Sequence, residues 1–303
     1  MSRKFAWLEC LAAVALLVCA ATAASQGKAS NVVDGSLAYS HVETLVGFGP
    51  RPPGSPAIAK AQAYITDVLK KLNLQVEHQD FLANTPNGPV SMKNIVGKTR
   101  QSGKPVVILG SHYDTRAMTN ASFVGANDGG SSTGLLLELA RVLSQRRNAF
   151  TVWFVFFDGE EAQREWSETD SLYGSRFSVE KLRADGQVGA IKAMVLMDMV
   201  GDRDLKLEND ASSTPWLMEL VRRSAVELGY SKYLAAPKKG MVDDHLPFIR
   251  AGIAAVDLID YDYGFNNSLW HTPNDTLDKI SPRSLKIVGD IVVRTIENLS
   301  EKP

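Results

Sequence analysis

From Pro105 onward the chain alternates short apolar runs with longer amphipathic stretches, and no other feature restricts its fold as much. The runs are Val106 to Gly110, Thr151 to Phe157, Ala193 to Met199 and Ala254 to Ile259. They are short, rich in β-branched and aromatic residues and largely apolar, so they read as strands buried on both faces. Helical patterns lie between them, at about Ser131 to Gln145, Leu172 to Arg183, Pro215 to Leu228 and Asp244 to Ala251, and Pro282 to Leu299 closes the chain. That order predicts an α/β fold, a three-layer sandwich whose mixed, largely parallel central sheet is flanked by helices. Upstream, Gln75 to Leu82 and Met92 to Lys98 enclose the turn residues Asn84 to Pro89 and read as a β-hairpin. Helices over about Leu37 to Phe48 and Pro56 to Leu72 precede the hairpin, separated by the breaker Gly49-Pro50-Arg51-Pro52-Pro53-Gly54.

At 303 residues and 45% hydrophobic content, the chain has material for one well-buried core. Its 33 basic and 34 acidic residues nearly cancel. That balance removes the broad positive field on which nucleic-acid binding depends, so partners are sought in a pocket. The N-terminus has the order of a secretory signal: Arg3 and Lys4, an apolar run from Leu11 to Ala21, then small residues through Ser25. The expected layout is a signal over 1–24, a flexible segment over 25–35 and a single catalytic domain over 36–303. An uncleaved anchor is the alternative, but the run is shorter than the roughly 20 apolar residues that span a bilayer. Cleavage leaves no stable membrane span and a periplasmic or secreted protein; lipid anchoring at Cys19 is a minor variant. Cys10 and Cys19, the two cysteines, both fall in this segment, so disulfides do not hold the mature fold together.

The polar residues able to do chemistry sit where the apolar runs end, which is where open α/β sheets place their sites. The first run ends in Ser111-His112-Tyr113-Asp114, and the loop after it carries Asn127-Asp128-Gly129-Gly130. The second ends in Asp158-Gly159-Glu160-Glu161, the third at Asp198, a later loop holds Asp243-Asp244-His245, and Trp270-His271 follows the last run. Singly, each has an ordinary reading: Asp128 as a helix cap, the glutamates as a solvated pair, a histidine as a structural residue. Together, carboxylates and imidazoles are costly to assemble unless a cation neutralises them. Zinc accepts both donor types and leaves a position open, whereas calcium wants more oxygens. Adjacent glutamates at a strand end point different ways, so one can bind the metal while its neighbour serves as base; Glu161 is assigned to the metal and Glu160 to proton transfer.

On these residues the chain resembles the zinc aminopeptidase fold family, and within it the glutaminyl-peptide cyclotransferases, from about Ser36 to Leu299. The resemblance is densest in Ser111 to Asp114, Val124 to Asp128, Phe156 to Ala162, Trp166-Ser167, Asp170 to Arg176, Asp243 to Phe248 and Trp270 to Thr272. The stretch from Glu160 to Arg176, with its tryptophan, is what looks like a cyclase; aminopeptidases of this fold usually run from the paired acids to the Gly-Ser step with fewer residues between. The resemblance implies one zinc held by Asp128, Glu161 and His271, with Glu160 as general acid/base. It implies that Asp198 and Asp243 support a proton relay and that Trp166 and Trp270 border the pocket. Two departures stand out. Ser111 and Thr133 replace a cysteine pair of the animal enzymes, and Asp257 stands where they carry a histidine, ahead of a divergent loop from Asp260 to Asn267.

The resulting expectation is an enzyme that converts the N-terminal glutaminyl residue of a peptide or protein to pyroglutamate with release of ammonia. The competing one is a two-zinc aminopeptidase, with His112 and Asp198 on the second ion and Asp128 bridging. A non-catalytic binding module on the same fold would be expected to have lost a ligand or the base, and none is missing.

Overall fold

The computed structural model describes residues 32–101, 105–118 and 122–300. The expected signal, both cysteines and most of the 25–35 segment lie outside them. Val33 is already buried, and Asp34 caps the first helix by accepting the N–H groups of Ser36 and Leu37. The fold therefore takes in the last residues of the stretch expected to be flexible.

In chain order the elements are α1 (Gly35–Gly47), α2 (Pro56–Lys71), β1 (Gln75–Thr85), β2 (Gly88–Lys98), β3 (Val106–His112), α3 (Gly130–Ser144), β4 (Thr151–Phe157), α4 (Tyr173–Ala184) and β5 (Ile191–Asp198). They continue with β6 (Leu207–Asp210), α5 (Pro215–Glu227), β7 (Leu234–Lys239), α6 (His245–Arg250), β8 (Ala255–Ile259) and α7 (Pro282–Ser300). Six strands form one sheet in the order β1-β2-β4-β3-β5-β8. The four strands from β4 to β8 run parallel, and the hairpin β1–β2 adds to β4 antiparallel, which gives the mixed sheet expected.

Alternation along the parallel strands divides the core between two faces. Val107, Leu109, Phe154, Val195 and Leu258 point to one side, where α1, α2, α3, α5 and α7 pack. Ile108, Val155, Phe157, Met194 and Leu196 point to the other, against Val179 and Leu182 of α4 and Phe248 of α6. Each fully buried aliphatic side chain contributes about 1.5–3 kcal/mol. Because both faces are covered, the strands carry no polar alternation, and that is why they read as continuous apolar runs.

Two expectations are corrected. The hairpin has a tight turn at Pro86-Asn87, with Thr85 opposite Gly88, so its strands are longer than the turn-rich sequence implied. A second, two-stranded parallel sheet, β6 with β7, had no counterpart in the sequence reading. The chain leaves β3 for β4 on one side and then crosses back to β5 on the other, which opens a crevice beyond the C-terminal ends of β3 and β5. His112 is the last residue of β3 and Asp198 the last of β5.

Just past β8, the buried Asp260 accepts the Lys206 N–H at 2.7 Å through one oxygen, while its other oxygen has no partner. Burial raises its carboxyl from 3.8 to about 8, with Asp202 and Glu208 adding and the Lys206 N–H opposing. The folded state therefore keeps the proton that the unfolded chain releases, and this contribution to stability is lost as pH climbs from 3.8 toward 8. Asp260→Asn does not titrate. Its melting temperature relative to the parent is expected to rise by a few degrees between about pH 5 and about pH 8. An equal difference at both pH values would refute the assignment.

Candidate active site

The crevice collects the charged residues singled out in the sequence. His112 is buried at the end of β3, and its Nε2 lies 3.1 Å from Asp198 Oδ1 and 3.3 Å from Asp128 Oδ1. On the opposite side His271 Nε2 lies 3.2 Å from Asp128 Oδ2 and 3.0 Å from Glu161 Oε1. Asp128 thus offers one oxygen to each imidazole. Two groups of ligand atoms close enough for one ion result: Asp128, Glu161 and His271, and separately His112, Asp128 and Asp198.

Local structure explains how these side chains are held. The loop carrying Asp128 is clamped by the buried Asp275, which accepts the N–H of Asn127 at 2.8 Å and of Asp128 at 3.1 Å, and the hydroxyl of Tyr263 at 2.8 Å. Asn127 Oδ1 accepts the Gly201 N–H at 2.8 Å, tying the same loop to the segment after β5. Gly129 has φ +73°, and a Cβ there would lie 2.7 Å from the Asp114 carbonyl oxygen. Glycine is needed at that position. Asp114 performs a matching task for the glutamates, accepting the N–H of Glu160 at 3.2 Å and of Glu161 at 3.3 Å. The two side chains then diverge. Glu161 faces His271, while Glu160 belongs to neither ligand group and its Oε2 is 3.8 Å from His112 Nδ1.

Two non-glycine residues at the site have left-handed backbones, Met199 at φ +47° after Asp198 and His271 at φ +52°. Such conformations cost energy and persist where surrounding structure imposes them, as at functional sites. Trp270 stacks on His271 with ring centroids 4.0 Å apart, and Phe123 meets the same imidazole edge-on. A cavity of about 340 Å³ opens over the site and is lined by Glu160, Glu161, Trp166, Asp198, Asp243 and Trp270 among others.

The donor set suits a cation. Asp128 Oδ2 and both oxygens of Glu161 are fully buried yet accept no hydrogen bond. Burial, reinforced by the neighbouring Asp128 and opposed by His271, pushes the Glu161 carboxyl up to about 7. Burial works against protonation of His271, but Asp128 and Glu161 outweigh it and raise the imidazole to about 10. Two buried carboxylates around one imidazole lack positive charge, and a divalent cation supplies it. Behind them, burial drives Glu160 and Asp243 well above the ordinary carboxylate range; His112 opposes this at Glu160, whereas Asp198 reinforces it at Asp243.

Sequence reasoning missed three supports. Arg51, read only as part of a breaker, is fully buried and donates to the carbonyls of Tyr113, Val124 and Gly125 at 2.8–3.2 Å. Asp114 was noted without a role, and Asp275 was overlooked. Both departures from the cyclase pattern are resolved. Ser111 Oγ and Thr133 Oγ1 meet at 3.0 Å, a hydrogen-bonded pair. Asp257 is fully buried with both oxygens unpartnered, and burial raises its carboxyl well above the ordinary range. It lies beneath the site, not on the rim of the cavity, which Tyr261 helps to line.

The clamp at Asp275 makes a direct prediction. In Asp275→Asn an amide N–H group can face the N–H donors of the Asp128 loop. Metal affinity, read by competition with a chromophoric chelator, is expected to weaken roughly 10–100-fold with the fold retained. Parent-like affinity would show that Asp275 does not hold the ligand loop.

Known proteins place this arrangement. Residues 94–296 match Peptidase family M28. The solved structure of a glutaminyl cyclase from an Acidobacteriales bacterium superposes with a TM-score of 0.87 at 39% identity, covering 92% of this chain and 98% of that one. A leucine aminopeptidase precursor from Bacteroides thetaiotaomicron superposes with a TM-score of 0.81 at 27% identity, covering 88% and 98%. Glutaminyl-peptide cyclotransferase of Drosophila melanogaster is 28% identical over 257 residues, which are 76% of this chain and 72% of that protein. With two thirds of its length matched and its carboxylate–imidazole site assembled on the shared sheet, the chain belongs to peptidase family M28.

Proposed function

We propose that the chain is a glutaminyl-peptide cyclotransferase, which closes the N-terminal glutaminyl residue of a peptide or protein to pyroglutamate and releases ammonia. The observation that carries this reading is the placement of Glu160. It lines the cavity beside the ligand group of Asp128, Glu161 and His271 without joining it, and Trp166 and Trp270 stand on the walls. Similarity to a solved glutaminyl cyclase over 92% of the chain, and to a glutaminyl-peptide cyclotransferase over 76%, supports it.

Asp128, Glu161 and His271 would hold one zinc, whose chemistry when bound is Lewis-acid polarisation of the side-chain carboxamide. The remaining work belongs to the chain. The tryptophan-walled cavity receives the glutaminyl side chain and brings its α-amine against its own γ-carbon, an intramolecular approach that needs no activated water. The new C–N bond forms as Glu160 takes a proton from the amine. Glu160 then returns that proton to the γ-nitrogen as the old C–N bond breaks, and ammonia leaves. Asp198 and Asp243, which line the cavity with Glu160, support this transfer.

A second reading, the two-zinc aminopeptidase, draws on the group His112, Asp128 and Asp198. In the cyclase reading His112 carries no second ion and pairs with Asp198 at 3.1 Å. For localisation we propose export to the periplasm or medium. The signal-like N-terminus supports it, and among the described residues no helix is long and apolar enough to cross a membrane.

Purified protein is expected to release ammonia and a pyroglutamyl product from a Gln-initiated peptide, to leave a leucyl anilide intact, and to carry one zinc per chain. Release of the free N-terminal amino acid, or two zinc ions at full activity, would overturn the reading in favour of the aminopeptidase. Glu160→Gln is expected to keep its metal and lose about 100-fold or more in kcat. Normal turnover by that variant would remove Glu160 from the mechanism.

A further inference from the structure

The segment between Glu161 and α4 passes the mouth of the cavity. It is exposed from Arg164 to Thr169, and Trp166, 40% exposed, reaches from it into the cavity lining. An indole on an exposed loop can shape a binding site only if its backbone is fixed.

One carboxylate does the fixing. Asp170 is 3% exposed, and four donors converge on it. Its Oδ1 accepts the Gln163 N–H and the Tyr173 hydroxyl, each at 2.9 Å, and its Oδ2 accepts the N–H groups of Arg164 and Glu165, each at 2.9 Å. Three successive backbone N–H groups aimed at one point make a concavity that suits an anion. Burial alone would raise the Asp170 carboxyl, yet these donors outweigh it and hold the group below its ordinary value. From outside, Asn87 at the tip of the β1–β2 hairpin donates to the Gln163 carbonyl at 2.9 Å. The loop is anchored at its exit, where the N–H of Leu172 reaches the Glu160 carbonyl at 2.9 Å and that of Tyr173 reaches the Gly159 carbonyl at 2.8 Å.

We infer that Asp170 is a positioning residue for substrate: by gathering the N–H groups of Gln163, Arg164 and Glu165 it sets Trp166 at the cavity mouth against the N-terminal residue of the peptide, with Asn87 as the outer brace. The inference rests on the cyclotransferase reading for the identity of the peptide. Its locking step concerns the chain alone.

Asp170→Asn keeps the size of the side chain but turns an NH2 group toward backbone N–H donors. KM for a Gln-initiated peptide is expected to rise about tenfold, with kcat within about twofold and zinc content unchanged. Trypsin is expected to cut after the exposed Arg164 faster than in the parent. Asn87→Ala is expected to move both readouts the same way by a smaller factor, and it serves if Asp170→Asn does not fold. Unchanged KM overturns the inference, whether or not cleavage accelerates, and so does a fall in kcat at constant KM. Should the parent release amino acids instead of cyclising glutamine, the cyclotransferase reading fails alone, and the same two readouts with that peptide still decide the role of Asp170.

Discussion

The structure turns on one buried carboxylate. Asp128 presents one oxygen to His112 and the other to His271, and it is 3% exposed. A buried charge so placed is tolerable only with its position fixed and its charge balanced. Position comes from two directions, Asp275 on the backbone of the loop and Asn127 tying that loop to the segment after β5. Arg51 works one layer further out, where its guanidinium threads under the carbonyls of Val124 and Gly125 and holds the stretch leading into the loop. Burial lowers that group only to about 10, so it stays cationic, and the nearby Asp114, Asp275 and Asp128 favour the charge.

Much of this was legible in the sequence, for a physical reason. The strands β3, β4, β5 and β8 are covered on both faces, so they are largely apolar, and a histidine or acid at the end of such a run is conspicuous. His112, Glu160, Glu161 and Asp198 were readable on that ground. The strands β6 and β7 were not. Leu207 to Asp210 reads Leu-Glu-Asn-Asp, and Leu234 to Lys239 contains Pro237 and two lysines. Two-stranded pairing of such segments is imposed by their neighbours, not by their own pattern. The roles of Asp275, Asp114 and Arg51 escaped notice because they act on backbone groups 46 to 148 residues away in the chain. An aspartate that clamps a distant loop has the same local sequence as one in water.

The acids behind Glu160 show a different way of carrying buried polarity. Asp244 and Asp257 are fully buried, and none of their four carboxyl oxygens accepts a hydrogen bond. Burial raises Asp244 to about 7, with His112 opposing, and drives Asp257 well above the ordinary carboxylate range, each reinforced by neighbouring acids. Asp257 favours its neutral form where Asp128 favours charge. The contrast follows from what faces each one: Asp128 meets two imidazoles, whereas Asp243 and Asp198 are among the groups facing Asp257. The aspartate at position 257 therefore fits the fold as a neutral acid, which is how a site that departs from the animal pattern there can remain intact.

Asp170 and Asp128 are both buried aspartates close to the cavity, yet they differ in what satisfies them. The four donors on Asp170 all come from its own segment and the first residue of α4, so it is complete without a ligand. Asp128 Oδ2 accepts no hydrogen bond from the chain. A saturated carboxylate organises a loop, and an unsaturated one among imidazoles is suited to a cation. The same residue type thus serves scaffold and site, and the number of donors converging on each carboxylate tells them apart.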